Sequence, residues 1–318
     1  MTRVVLAYSG GLADSIAIPW LAERYGAEVI AVTMDLGQGK EVLEEIRDRA
    51  LATGALRAHV IDARDAYLRE AILRGLRAGM LWHDGASMAA ALAVPLAADK
   101  LVEVARIEHA RAVAHANAQG AASPLDRLLR AIDPTLDVKA PADEWAMTPV
   151  QQVNYAHDRH VLLPAEMSGG VALRAAPAMP REPAVVDVTF ERGTPVAANR
   201  VLMAIGEIVA SLDILTTVHG VGGSAFKVLH IAHEALQKSA LSAHAHEFSA
   251  EVAEQYVRVL NEGAWSTPLR QALDAYVDAI QQRVSGTVRL NLLNGTCAVV
   301  STEPSMLQSV TLTLAKTT

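Results

Sequence analysis

Apolar runs and amphipathic stretches alternate along the first half of the chain. Residues 4 to 8 are a short, largely β-branched apolar run that ends at Ser9-Gly10-Gly11. A helical pattern over 15–25 stops at Gly26, with Pro19 expected near its first turn, where a missing N–H costs little. Residues 28–34 read as a second, buried strand, followed by a charged amphipathic helix over 40–53 and a third strand over 57–62. Helical segments are expected at 65–79 and 87–107, and a fourth strand at 111–115. Strands alternating with helices predict a parallel sheet covered on both faces.

The pattern changes after residue 165 or so. Pro177, Pro180 and Pro183 mark a linker or surface loop. A hairpin is expected over 184–203, turning at Arg192-Gly193, then helices at 203–213, 225–241 and 249–284. A last hairpin over 286–300 turns at Asn294-Gly295, a strong hairpin signal. The predicted class is α/β: a parallel-sheet nucleotide-binding domain, residues 1–165, followed by an α+β domain, residues 166–318.

Composition narrows the picture. A length of 318 residues suits two domains. Apolar residues are 51% of the chain but aromatic residues only 4%, so the core must be aliphatic and Ala-rich, which favours close helix packing. A net charge of −7 speaks against a broad nucleic-acid-binding surface, though not against a local basic pocket. Cys297 is the sole cysteine, which excludes an intrachain disulfide and a cysteine metal cluster. The apolar run before Ser9 is too short for a signal peptide, and no stretch reaches the ~18 apolar residues of a membrane span. A cytoplasmic protein with no membrane partner is the expectation.

The sharpest site signal is Tyr8-Ser9-Gly10-Gly11-Leu12-Ala13-Asp14-Ser15, set between a strand and a helix. Backbone N–H groups at a helix start point at an anion, and the helix dipole favours negative charge there. Gly10 and Gly11 permit close approach of phosphates, Ser9 and Ser15 add hydroxyl donors, and Asp14 is a candidate to hold Mg²⁺ against a polyphosphate. The alternative is a plain strand-to-helix turn with Ser or Asp as a cap. The motif is not a Walker loop, since G-x-x-x-x-G-K-[ST] is missing here.

Val4 through Leu12 resembles the start of an argininosuccinate synthase, and so does Ala27 through Gly39. The likeness continues in Ala112-Val113-Ala114-His115, Val188 through Val196, His219-Gly220-Val221-Gly222, Pro268 through Ala275 and Gly286 through Leu290, all in the family's order. The resemblance implies a PP-loop domain that binds ATP through S-G-G-L-D-T-S, adenylates citrulline and lets aspartate displace AMP. It implies ATP and Mg²⁺ as cofactors and a homo-oligomer, dimer or tetramer. Its nucleotide site would comprise Ala7, Tyr8, Ser9, Gly10, Gly11, Leu12, Asp14 and Ser15, with Met34 and Gln38; it assigns no catalytic residue here.

Carry-over to this chain is uneven. The family's Asp and Thr become Ala13 and Asp14, so the acid has moved one position, about 100° around a helix. The Thr, Asn and Asp of the family's T-G-K-G-N-D-Q align with Ala118, Ala122 and Ser123, and a following Arg aligns with Asp126, a charge reversal expected to repel a substrate carboxylate. Ala86, Ala90 and Val94 stand where the family has Tyr, Thr or Ser, and Arg. Two further segments look deleted, between Pro164 and Ser168 and after Gly223, and the C-terminal tail is short. Three functions follow from these residues: a C–N ligase with an unknown small-molecule acceptor, a non-catalytic partner or regulator, and, ranked last, an ordinary synthase.

Other features read as bland. His109, His115, His157 and His160, and likewise His230, His233, His244 and His246, suggest metal pairs, but solvated polar helix ends explain them without a third ligand. Lys227 and Lys238 read as surface charges, Cys297 as an inert buried thiol, and Trp265 as packing in a helix–helix corner.

Overall fold

The N-terminal apolar run forms β1 (Thr2–Ala7) in a computed structural model that describes residues 2–117, 123–162, 182–219, 221 and 224–305. Next come α1 (Leu12–Tyr25), β2 (Ala27–Asp35), α2 (Lys40–Ala52), β3 (Arg57–Asp62) and a short α3 (Arg64–Ala66). A π-helical turn over Tyr67–Ile72 leads to α4 (Leu73–Arg77), the two-residue strands β4 (Trp82–His83) and β5 (Ala86–Ser87), α5 (Ala89–Ile107) and β6 (Ala112–Ala114). Then follow α6 (Pro124–Ile132), β7 (Asp137–Lys139), α7 (Pro141–Trp145) and α8 (Pro149–Asp158). The second half holds β8 (Ala184–Glu191), β9 (Thr194–Ala198), β10 (Val201–Leu202), α9 (Ile205–Val218), α10 (Ser224–Ala240), α11 (Ala243–Asn261), α12 (Pro268–Gln281), β11 (Gly286–Leu293) and β12 (Thr296–Pro304).

Over these residues the chain forms two compact units. One takes Met1–Ile72, Ala89–Ala176 and Val257–Arg270; the other takes Leu73–Met88, Pro177–Tyr256 and Gln271–Thr318. The boundary expected at residue 165 lies outside the described residues. The first unit is built on a sheet of order β3-β2-β1-β6-β7 with every pair parallel. Its central strand alternates: Val4 and Leu6 face the core under α1 and α2, and Val5 faces the core under α5 and α6. Both faces are covered, as the near-continuous apolar runs require. The second unit carries an antiparallel sheet of order β10-β9-β8-β11-β12. Val186, Val188 and Phe190 of β8 alternate with Val288, Leu290 and Leu292 of β11 on its buried face. Asn294 and Gly295, both at positive φ, close the last hairpin.

Several expectations need correction. The first helix begins at Leu12, not at 15, so Pro19 lies in its interior and the Ser15 carbonyl forgoes its usual i+4 amide. The helix expected over 65–79 is interrupted by the π-helical turn. The start of the helix expected from 87 is shortened by the β4–β5 hairpin, which turns at Asp84-Gly85. The single helix expected over 249–284 is two helices. Gly263 breaks it at φ +65, where a side chain would approach the Pro124 carbonyl to 3.0 Å. The Pro177–Pro180 linker lies outside the described residues.

Candidate functional site

The loop after β1 is pinned from three sides. The Tyr8 amide extends the β1–β2 ladder by donating to the Val32 carbonyl at 2.9 Å, and the Tyr8 carbonyl accepts from Thr33 Oγ1 at 2.9 Å. The Tyr8 hydroxyl, buried, meets Ser15 Oγ at 2.9 Å. Burial raises the Tyr8 pKa, so the phenol stays protonated. Gly10 adopts φ +83, and a Cβ there would come within 2.9 Å of Ile46 Cγ1. Only glycine suits that position on both counts. Arg49 of α2, 8% exposed, donates from Nη1 to the Gly10 carbonyl at 2.8 Å and from Nη2 to Glu45 at 2.5 Å.

Gly11 is the N-cap of α1 and supplies no side-chain cap. A Cβ at Gly11 would make only an ordinary 3.5 Å contact with Ser9 Oγ, so the protein itself does not demand a bare backbone there. Asp14 folds back over the loop. Its Oδ2 accepts from the Ser9 amide at 2.8 Å and from Ser9 Oγ at 2.5 Å. Burial pushes the Asp14 pKa up, and the two Ser9 hydrogen bonds oppose that.

A cleft of about 720 Å³ opens over the loop. Of the residues expected at a nucleotide, Ala7, Tyr8, Ser9, Gly11, Leu12, Asp14, Met34 and Gln38 line it. Gly10 and Ser15 do not. Ser15 is fully buried, with its hydroxyl on Tyr8 and its amide on the Gly11 carbonyl, so it braces the loop from behind instead of presenting a donor. Gln38 closes the turn after β2, donating to the Met34 carbonyl at 2.9 Å and accepting from the Leu36 amide at 2.6 Å.

Two contributors were missed in the sequence. Arg49 was legible only as a charge three residues beyond Ile46 on the buried stripe of α2. His115, at the end of β6, lines the opposite wall with Asn117. It is 1% exposed, not a solvated helix end, and neither ring nitrogen has a hydrogen-bond partner among the described residues. Burial pushes its pKa down, against the pull of Asp126 and Asp143, which keeps a neutral imidazole. A neutral ring offers one donor and one acceptor to whatever fills the cleft.

The donor set does not fit a magnesium ion held by the protein. Among the described residues Asp14 is the sole carboxylate lining the cleft, and its Oδ2 is engaged by Ser9. Among the described residues no group of three or more His, Cys, Asp or Glu side chains converges as a metal site. An ion arriving on a nucleotide belongs to the substrate and needs no such cage.

The aligned substrate positions are quiet. Val94 packs against the core beneath α5 and α6, Ser123 is buried at the N-cap of α6, and Ala86 is exposed on β5. Asp126 corrects an expectation: it is 2% exposed and paired with Arg130 at 2.6 Å, so it is not a free anion repelling a substrate. Ala118 and Ala122, and the segments around Ser168 and Gly223, lie outside the described residues. Among the described residues the cleft lining contains no Lys or Arg.

Elsewhere, His157 is the solvated helix end expected, but His233 is 1% exposed and bonded to Gln281 at 2.9 Å. Lys227 lies over the Trp82 ring at 5.3 Å, and Trp265 packs against the core beneath α5 and α6. Cys297 is half-buried, and burial pushes its thiol up to about 11, as an inert thiol requires.

Comparison with known proteins agrees with this geometry. Residues 3–162 match the family model described as "Arginosuccinate synthase N-terminal HUP domain", and residues 223–314 match "Arginosuccinate synthase C-terminal domain". A protein named argininosuccinate synthase from Pelotomaculum thermopropionicum is 34% identical, over 93% of this chain and 86% of its own length. The protein of that name from Carboxydothermus hydrogenoformans is 32% identical over 92% and 86%, and that from Oceanobacillus iheyensis is 29% identical over 95% and 84%. With both domain models matched in order and relatives of this identity spanning nearly its whole length, the chain belongs to the argininosuccinate synthase family.

Proposed function

We propose that this chain is an ATP-dependent, AMP- and pyrophosphate-forming carbon–nitrogen ligase whose substrates are not citrulline and aspartate. The ligase class is supported by its family and by the strand–loop–helix cradle of Ser9 to Asp14. In this reading the amides at the start of α1 and the Ser9 hydroxyl receive the phosphates, and Gly11 lets them approach the backbone. The tight packing behind the loop, through Tyr8, Ser15 and Arg49, holds those donors ready before the reaction, so that negative charge developing at phosphorus is met without rearrangement. His115 offers an uncharged polar contact on the facing wall.

The altered specificity rests on one observation: among the described residues, the cleft over the loop has no cationic side chain in its lining. Two amino-acid substrates bring carboxylates that call for charged hydrogen bonds, each contributing about 1.5–3 kcal/mol. Orientation of two such substrates supplies up to ~7–11 kcal/mol of barrier reduction, and a wall of Ala97, Leu101, Ala116 and Leu125, with His115 and Asn117 as its polar groups, brings no charge to provide it. The ordinary synthase reaction is a second reading, and it is the one the relatives' names favour. The nucleotide site is tested by titration calorimetry of wild type and Gly11→Trp with ATP. Binding should be lost in the variant, whose indole would fill the approach to the backbone; equal affinity would place the nucleotide elsewhere.

A further inference from the structure

We propose that Asp14 is an internal substitute for phosphate: in the free protein its carboxylate occupies the loop's anion donors, and a polyphosphate binds by displacing it. The proposal rests on the reading of this loop as the ATP site.

Four observations carry it. The Asp14 carboxylate sits in the cleft and takes both donors that Ser9 can offer, at 2.8 and 2.5 Å, the short lengths of charge-assisted bonds. Second, this is not the usual cap. Asp14 is the third residue of α1, and such a side chain ordinarily accepts from the N-cap amide three residues back. Here it passes over Gly11 and reaches five residues back to Ser9, onto the loop itself. Third, the position suits an anion whatever its source, since the start of α1 has no side-chain cap and carries the positive end of the helix dipole. Fourth, among the described residues no Lys or Arg lines the cleft, and Asp14, whose carboxylate is held by Ser9, has no ion-pair partner. Among the described residues no ion pair therefore holds the carboxylate in place once a second anion arrives in the same space. Burial raises the Asp14 pKa, and the two Ser9 hydrogen bonds oppose that rise.

The sequence gives the reason such a group exists in this chain. A carboxylate at 13 would start about 100° away around the helix; Ala13 and Asp14 together move the acid to the position that reaches Ser9.

Calorimetric titration of wild type, Asp14→Asn and Asp14→Ala with ATP in chelator, with Mg-ATP, and with adenosine tests the proposal. Asn removes the charge and keeps the size, Ala removes both, and the thermal midpoint of each variant verifies its fold. Metal-free ATP should bind both variants about tenfold more tightly or better, the weight of one charged hydrogen bond. The gain should be smaller for Mg-ATP, where the ion offsets part of the repulsion, and adenosine affinity should not change. Weaker or unchanged ATP binding by the folded variants would overturn the proposal while leaving the nucleotide site intact. ATP binding by neither wild type nor variants would overturn both, and binding that ignores Gly11→Trp would overturn the placement of the site.

Discussion

Replacing Arg49 with Met isolates what holds the phosphate loop in shape. The guanidinium is 8% exposed and makes two contacts, one to the Gly10 carbonyl at 2.8 Å and one to Glu45. They are not equal. Glu45 is 64% exposed, so its pair with Arg49 is screened and contributes less than ~1 kcal/mol. The Gly10 carbonyl is inside, and losing its charged donor costs about 1.5–3 kcal/mol. Met keeps most of the aliphatic stem, so lost packing adds little. The expected destabilisation is about 2 kcal/mol, or roughly 4–8 °C in the melting of a unit of this size. Urea unfolding monitored by circular dichroism reads it, with Glu45→Gln as the control expected to stay within ~0.5 kcal/mol of wild type. An Arg49→Met protein as stable as wild type would refute the bracing role.

Gly10→Ala should cost about 2 kcal/mol or more in the same assay. The residue must hold φ +83 and place its methyl against Ile46, and a cost under ~0.5 kcal/mol would mean the loop has another conformation within reach. Stability should also fall in acid through His233, whose pKa burial pushes down to about 4 against the pull of the Gln281 bond. A histidine whose folded pKa lies below its unfolded value of ~6.5 leaves the unfolded state with more protons between them. Stability is then full above pH ~6.5 and falls progressively toward pH ~4, by roughly 3 kcal/mol from this group. Chemical denaturation from pH 8 to 4 should show the slope in wild type and a shallower one in His233→Gln; equal slopes would exclude His233 as its source.

How legible the fold and site were depends on which signal each segment carries. The β1 run and the Gly10 that follows were plain, because a buried parallel strand is apolar throughout and its exit at φ +83 needs glycine. The last hairpin was equally plain from Asn294-Gly295. The stretch from 116 to 162 gave no reading: β7 has three residues, too few for a period, and α7 has five. The break between α11 and α12 was announced by Gly263 and by Pro268 at the start of α12, but helical periodicity on both sides outweighed it. At the site, residue identity misled where its partner lay elsewhere. Asp126 looked like a repulsive charge, although Arg130 stands four residues on along the same helix and neutralises it. Ser15 looked like a phosphate donor until Tyr8 claimed its hydroxyl.

The central claim is that an ATP-using family fold carries here a cleft unfit for citrulline and aspartate. Pyrophosphate release measured with Mg-ATP, citrulline and aspartate at millimolar concentrations tests it most directly. The account predicts no release above that of Mg-ATP alone, in a preparation that binds ATP by calorimetry. Turnover approaching a typical enzyme's ~10 s⁻¹ would contradict it and make this chain an ordinary synthase.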